Sequence, residues 1–131
     1  MIFQTVVEIF ALMRDEYNRK KAQDIYRFIQ DNFQEIEVVS LKRCISIAGK
    51  GYIKFATLTP SDNNALLLHF PNEIRDNLLT RKEEFAIIYN KPKRDFYVNQ
   101  TNILLKDIYN THDLLTLMKI AYDNPRRIRN N

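Results

Sequence analysis

The sequence predicts an α+β domain: two N-terminal helices, a mostly antiparallel sheet with a short inserted helix, and a C-terminal helix packed on the sheet. Three observations support this class. Apolar residues recur every three or four positions over the first 33 residues, as on one side of a helix. From residue 36 onward the apolar period changes to two, and turn-forming residues separate the runs. The composition, 45% apolar and 27% charged, is typical of a globular chain.

The length of the chain fits one domain. A chain of 131 residues is long enough to bury roughly two-thirds of its unfolded surface on folding, which is sufficient for one core. The sequence has two glycines and no glycine-rich linker that would divide it. We therefore expect a single domain over residues 1–131, composed of a helical pair (1–34), an α+β core (35–123) and a basic tail (124–131).

Two apolar stripes predict the helical pair. The spacing of each set is that of one helix face, with charged residues elsewhere around the circle. The first helix is predicted from Val6, Ile9, Phe10, Met13 and Tyr17. The second is predicted from Ala22, Ile25, Tyr26, Ile29 and Phe33.

Alternating apolar residues predict the first strands of the sheet. Residues 36–38 and 45–47 flank the polar segment 40–43 and are predicted to form a hairpin. The run Gly49-Lys50-Gly51 predicts a tight turn before a strand at 52–58. Residues 59–64 are rich in turn formers and lead into another strand at 65–70, which we expect to pair antiparallel.

The second half of the chain predicts two helices and further strands. Pro71 suits the first turn of a short helix. Strands are predicted at 85–89, 96–98 and 103–105, with a turn at 99–102 between the last two. Asn110 or Thr111 is expected to cap the final helix, which ends before Pro125. Its apolar face is Leu114, Leu117, Met118, Ala121 and Tyr122.

Nothing in the sequence indicates a membrane or an oxidising compartment. No run approaches the roughly 20 apolar residues of a membrane-spanning helix, and the first residues lack the pattern of a secretory signal. The single cysteine, Cys44, cannot form an internal disulfide. We therefore expect a cytoplasmic protein that does not engage a membrane.

The residues that could support catalysis are sparse. Nucleophilic catalysis needs a base beside a nucleophile, and the two histidines are His69 in an apolar strand and His112 in the first turn of a helix. We interpret them as a sheet residue and a surface residue. Lys42 and Arg43 could lower the pKa of Cys44, although a half-buried core cysteine is the interpretation that we favour.

Metal and phosphate sites are also not indicated. Glu35 and Glu37 are one close carboxylate pair in a strand-like segment, which is too few ligands for a metal site. The Gly49–Gly51 run lacks the longer spacing of a Walker motif. We predict no catalytic residue, no metal site and no cofactor.

The distribution of positive charge favours nucleic acid as a partner. The net charge is +4, and residues 40–58 contain four basic residues and no acidic one. Lysine and arginine neutralise phosphates, and exposed tyrosines can stack on bases. The alternative is that lysines solubilise sheet edges and tyrosines complete the core. The candidate nucleic-acid-binding residues are Lys42, Arg43, Lys50, Lys54, Lys93, Arg94, Tyr97, Arg126, Arg127 and Arg129.

The stretch from Ile45 through Tyr122 resembles the MmcQ/YjbR family. Residues 46–58 (SIAGKGYIKFATL) and 65–79 (ALLLHFPNEIRDNLL) are similar to the strand, turn, strand and proline-led helix of that family. Residues 94–98 (RDFYV) lie where the family has an aromatic strand, with Phe96 and Tyr97 in place of its common tryptophan, and residues 113–122 are similar to its closing helix. This resemblance implies a double-wing α+β fold and a DNA-binding function.

We therefore predict a non-enzymatic DNA-binding module. Two alternatives remain open at this point. One is a protein-interaction module that uses an exposed strand or the helical pair. The other is a small-ligand pocket between helices and sheet, which the lack of a recognisable convergent polar set in the sequence disfavours.

Overall fold

The computed structural model describes residues 5–41, 43–60, 64–81, 100–108 and 111–124. Within these ranges two helices precede a run of four strands, and such segregation of helices and strands along the chain is typical of an α+β fold. A 3₁₀ turn at Leu105–Asp107 follows the last strand. The elements in chain order are α1 (Val6–Ala11), α2 (Glu16–Asn32), β1 (Ile36–Leu41), β2 (Cys44–Gly49), β3 (Lys54–Thr59), β4 (Ala65–His69), α3 (Asn72–Thr80), β5 (Gln100–Leu104) and α4 (Thr111–Asp123).

The strands of the described part of the chain form one sheet in the order β1-β2-β3-β4-β5, with every neighbouring pair antiparallel. The first hairpin has the predicted position, since Leu41 and Cys44 are opposite each other across the turn. Helix α4 packs on β3 and β4. The predicted class, with helices, an antiparallel sheet and a C-terminal helix on the sheet, is confirmed.

One face of the sheet is the floor of the hydrophobic core. Side chains alternate between the two faces of a strand, and directly paired residues share a face. Each core residue therefore lies beside another on the neighbouring strand. The fully buried residues of this core face are Ile45, Ile47, Ala56, Leu58, Leu66, Leu68 and Ile103.

A β-bulge in β3 changes the direction of its first side chains. Ile47 pairs with Ala56 but Ala48 pairs with Lys54, so that Phe55 is an extra residue in β3. Phe55 packs with Phe33 and Tyr122 on the core side, with ring centroids 5.4 Å apart in both pairs. The bulge therefore leaves Lys54 on the opposite face, which we call the open face.

The N-terminal helices differ from the prediction at their boundary. The first helix ends at Ala11, and Tyr17, which was assigned to it, belongs to α2 and is 67% exposed. The physical reason is the side chain of Asp15, which accepts a hydrogen bond from the Asn18 N–H at 3.1 Å and caps a new helix. Met13 remains buried although it lies between the helices.

The predicted turn at 99–102 is wrong, because β5 begins at Gln100. Gln100, Thr101 and Asn102 pair with residues of β4, and pairing with an existing strand outweighs the turn preference of such polar residues. The strands predicted at 85–89 and 96–98 lie outside the described residues.

The final helix is confirmed in position and in facing. Helix α4 begins at Thr111 and buries Leu114, Leu117, Met118 and Ala121. The position before it, Asn110, lies outside the described residues. His112 is on its exposed side, as predicted. Among the helices that the structure describes, none combines the length and the apolar character needed to cross a membrane.

Candidate ligand-binding groove

A groove runs over the open face of β1, β2 and β3. It has a volume of about 380 Å³, within the range of small-ligand sites. Two of its apolar or aromatic side chains are well exposed, Val39 at 47% and Tyr52 at 54%. The groove is lined by Glu37, Val39, Ser46, Ala48, Tyr52, Ile53 and Lys54.

Ser46 is the polar residue at the floor of this groove. Its side chain points to the open face because its neighbours Ile45 and Ile47 point into the core. Ser46 is only 8% exposed, and its hydroxyl oxygen has no hydrogen-bond partner in the protein. A buried hydroxyl without a partner is unfavourable by about 1 to 3 kcal/mol. The floor of the groove therefore contains a hydroxyl whose hydrogen-bonding capacity the protein leaves unused.

A buried polar row continues from Ser46 across the sheet. Thr57 is opposite Ser46 in the register and is 4% exposed. Its hydroxyl is 2.8 Å from Nε2 of His69, which is 2% exposed in β4. The interpretation of His69 as a buried sheet residue is confirmed. The hydroxyl of Thr57 therefore has a hydrogen-bond partner in the protein, whereas the hydroxyl of Ser46 has none.

Lys54 supplies the positive charge of the groove. It lies opposite Ala48, the next residue after Ser46 on the open face of β2. No acidic group of the described residues forms an ion pair with its ammonium. The charge of Lys54 acts on Cys44, which lies beyond Ser46 along β2. Ser46 and Lys54 are diagonal neighbours across β2 and β3, a separation that a lysine side chain can span.

Glu37 is the acidic residue of the groove, and it is held at the opposite end. Its carboxylate accepts a hydrogen bond from the Gly51 N–H at 3.0 Å, in the turn between β2 and β3. Gly51 adopts a φ of 83°, a conformation that favours glycine. Ala48 separates Glu37 from Lys54 in the register, so that their backbones are roughly 10 Å apart. Glu37 and Lys54 therefore lie on either side of Ala48, and the Glu37 carboxylate is held toward the turn.

Cys44 does not have the lowered pKa that its basic neighbours could produce. Burial raises the pKa of the half-buried thiol, and the Lys54 ammonium opposes this rise only in part. Desolvation disfavours the thiolate. Cys44 is therefore the half-buried residue that we favoured, and not an activated nucleophile.

The structure places two of the predicted nucleic-acid-binding residues at opposite ends of β2. Arg43 precedes β2 and Lys50 follows it, so a strand length of roughly 23 Å separates them. Lys54 lies in the groove. The other seven, Lys42, Lys93, Arg94, Tyr97, Arg126, Arg127 and Arg129, lie outside the described residues.

Basic and acidic residues that are separated along the sequence lie near each other in the folded protein. Strand β1 places Glu37 beside Gly51, and the backbone carbonyl of Glu35 accepts the Lys50 N–H at 3.1 Å. The described ranges contain twelve basic and twelve acidic residues, and the remaining residues contain eight and four. The whole net charge of +4 therefore lies outside the described part of the chain.

Sequence reasoning missed the polar row because its residues come from three strands. Ser46 alternates with Ile45 and Ile47 in the sequence, and this polar position between two core positions is the signal that could have identified it. Its proximity to Thr57 and Lys54 depends on register and on the bulge in β3. Neither is readable from local periodicity.

No model of a known protein family, no curated protein and no solved structure matches the chain. The resemblance to the MmcQ/YjbR family, and the DNA-binding function that it implies, therefore stay predictions. The geometry of the open face is the basis of the functional argument that follows.

Proposed function

We propose that the protein is a non-enzymatic ligand-binding domain whose ligand lies in the groove on the open face of β1, β2 and β3. The observation that carries this proposal is the hydroxyl of Ser46, buried at the floor of an apolar groove without a partner. Ligand pockets are mostly apolar and contain a few placed polar groups that orient the ligand. Ser46 and Lys54 are such a set, which the sequence alone did not indicate.

A binding role is favoured over catalysis by the surroundings of Ser46. A serine nucleophile is activated by a base within hydrogen-bond distance. No such base contacts the Ser46 hydroxyl, and His69 Nε2 is engaged with Thr57 instead. The groove therefore has the groups to hold a ligand but lacks an activated nucleophile among the described residues.

The groove can be tested with a neutral fluorescent probe. We expect N-phenyl-1-naphthylamine to increase in fluorescence on binding to the wild-type protein. Ala48→Trp fills the groove from its floor and is expected to abolish binding, since Ala48 is a half-buried lining residue. The control is Val7→Trp, because Val7 is 77% exposed on α1. Binding that survives Ala48→Trp in a folded variant contradicts the proposal.

DNA binding is a second candidate, and the distribution of charge supports it. Residues 91–94 contain three basic residues and no acidic one, and residues 126–129 contain three more and again no acidic one. In this proposal these basic residues contact phosphates. About six phosphate contacts, each contributing about 0.9 to the log–log slope, reduce affinity about a thousandfold between 50 and 200 mM salt.

Fluorescence anisotropy with labelled random-sequence duplex and single-stranded DNA tests this candidate. We expect Lys93→Glu, Arg94→Glu to abolish salt-sensitive binding. The matched control, Lys106→Glu, Lys119→Glu, changes the net charge equally at exposed residues outside the candidate set, so it lowers affinity only slightly. Binding that does not respond to salt, or that both variants weaken equally, refutes this candidate.

A further inference from the structure

The charged residues that line the groove point to the chemistry of its ligand. Among the lining residues, Lys54 and Glu37 are charged. The Glu37 carboxylate is held at the β2–β3 turn by the Gly51 N–H. Lys54 and Ser46 are diagonal neighbours on the same face, a separation that a lysine side chain can span. Because the Glu37 carboxylate is held at the turn, we call the part of the groove beside Ser46, which Lys54 can reach, the positive end.

Two hydrogen-bond donors lie at the positive end without an acceptor. The Ser46 hydroxyl is buried and has no partner. The Lys54 ammonium has no acidic group within ion-pair distance among the described residues. Hydrogen bonds in which one partner is charged are about twice as strong as neutral ones. An anionic acceptor would satisfy both donors at once.

The remaining walls require an apolar body on the ligand. Val39 and Ala48 lie on the open face beside Ser46 and toward the turn. Tyr52 and Ile53 close the groove near the turn. Val39 and Tyr52 are about half exposed, so an aliphatic or aromatic group in the groove would remove apolar surface from water.

We propose that the ligand is a small amphipathic monocarboxylate, with its carboxylate on Ser46 and Lys54 and its apolar body extending toward Tyr52. This inference rests on the proposed ligand-binding function. The two carboxylate oxygens match the two donors in number. A second carboxylate at the far end of the ligand would lie near Glu37, and like charges repel. The groove therefore selects one anionic group at one end.

Displacement of the bound neutral dye by head-group analogues tests the inference. Octanoate, octanol and octylamine share an apolar chain and differ in charge. We expect octanoate to displace N-phenyl-1-naphthylamine at a concentration about tenfold lower than octanol, the effect of one charge-assisted hydrogen bond. Octylamine is expected to be the weakest competitor. Octanedioate is expected to be weaker than octanoate because its second carboxylate meets Glu37.

Two variants assign the preference to the groove. Lys54→Met keeps the length of the side chain but removes its charge, and we expect it to make octanoate and octanol equal competitors. Lys119→Met is the control, since Lys119 is exposed on α4 and does not line the groove. It is expected to leave the preference for octanoate unchanged.

The outcomes separate this inference from the function on which it rests. Equal displacement by octanoate, octanol and octylamine overturns the monocarboxylate inference but leaves a ligand-binding groove. If octanedioate competes as well as octanoate, the far end of the ligand does not lie near Glu37, and the proposed orientation of the ligand is wrong. A dye that does not bind, or that binds Ala48→Trp as tightly as the wild type, overturns the proposed function itself.

Discussion

Replacing Ser46 with alanine is expected to stabilise the folded protein, although Ser46 is in the middle of the sheet. The hydroxyl of Ser46 is shielded from solvent and has no partner. In the unfolded chain the same hydroxyl is hydrogen-bonded to water. Ser46→Ala removes this loss of hydrogen bonding and retains a small side chain at a position that is 8% exposed.

The expected gain follows from the desolvation of one hydroxyl. Leaving a buried hydroxyl unpaired is unfavourable by about 1 to 3 kcal/mol in mutational data. Alanine leaves no larger cavity than the volume of the missing oxygen, so little packing is lost. For a chain of this length, about 1 kcal/mol corresponds to a change in Tm of about 3 to 5 °C. We expect the Tm of Ser46→Ala to rise by at least this amount.

The assay is thermal and urea unfolding of Ser46→Ala beside Thr57→Val, which changes the next residue of the same buried row. Valine has the shape of threonine but cannot hydrogen-bond to His69 Nε2, which is 2.8 Å from the Thr57 hydroxyl. Thr57→Val is therefore expected to destabilise the protein by about 1 to 3 kcal/mol. Opposite signs for the two variants support the geometry. A fall in Tm for Ser46→Ala comparable to that of Thr57→Val refutes the argument that Ser46 lacks a partner.

Three further predictions concern the cap, the thiol and the turn. Thr5→Ala removes the hydroxyl that accepts the Glu8 N–H but keeps the backbone N–H that donates to the Glu8 carboxylate, and loss of such a cap costs about 1 kcal/mol. The Thr5 backbone N–H is the main cause of the lowered pKa of Glu8, followed by the Thr5 side chain, and Glu8→Ala removes the carboxylate that accepts from it. This contribution is complete above the ordinary value of 4.5 and is lost as pH falls through the lowered value, so urea unfolding between pH 3 and 7 is expected to show a shallower acid limb for Glu8→Ala, and an unchanged one contradicts this. Because burial raises the pKa of Cys44, iodoacetamide is expected to alkylate this thiol more slowly at pH 8 than an exposed thiol. Lys54→Met is expected to slow the alkylation further. Faster alkylation of this variant would show that the Lys54 ammonium does not act on the thiol. Gly51→Ala places a side chain at φ 83° and is expected to destabilise the protein by about 1 kcal/mol. Gly51→Asn is expected to destabilise it less. If urea unfolding shows the same stability for both variants and the wild type, the strain argument is wrong.

The sequence was sufficient to predict an element where its apolar period was clear. In α4 the apolar period was clear, and the observed helix buries four of the five predicted residues, with Tyr122 half-buried against the core. In the first hairpin, alternation in 36–38 and 45–47 specified both strands. These elements are predictable because their side-chain periods of 3.6 and 2 are set by backbone geometry alone.

Competing local signals explain the two errors of element boundary. Tyr17 continued an apolar stripe from α1, but Asp15 caps α2 and separates the two helices. Gln100, Thr101 and Asn102 favour a turn by residue type, yet their backbones pair with β4. In both cases a hydrogen bond present only in the folded chain outweighed a preference of the sequence.

The candidate site was harder to predict than the fold. The basic residues Arg43 and Lys50 are close in sequence but lie at opposite ends of β2. Glu37, which is distant in sequence from Gly51, forms a 3.0 Å hydrogen bond to it. Charge along a sequence does not report which charges share a surface, because each neighbouring strand brings in side chains from elsewhere.

The sequence by itself determined the class of the fold, the first hairpin, the closing helix and the scarcity of catalytic residue types. Tertiary structure alone decided that Ser46 and Lys54 line one groove and that the Glu37 carboxylate is held at the turn. The physical reason is the register of β2 and β3 with its bulge at Phe55, which directs Phe55 into the core and Lys54 onto the open face. Alternation predicts that a strand has two faces, but the pairing of one strand with the next determines which residues meet there.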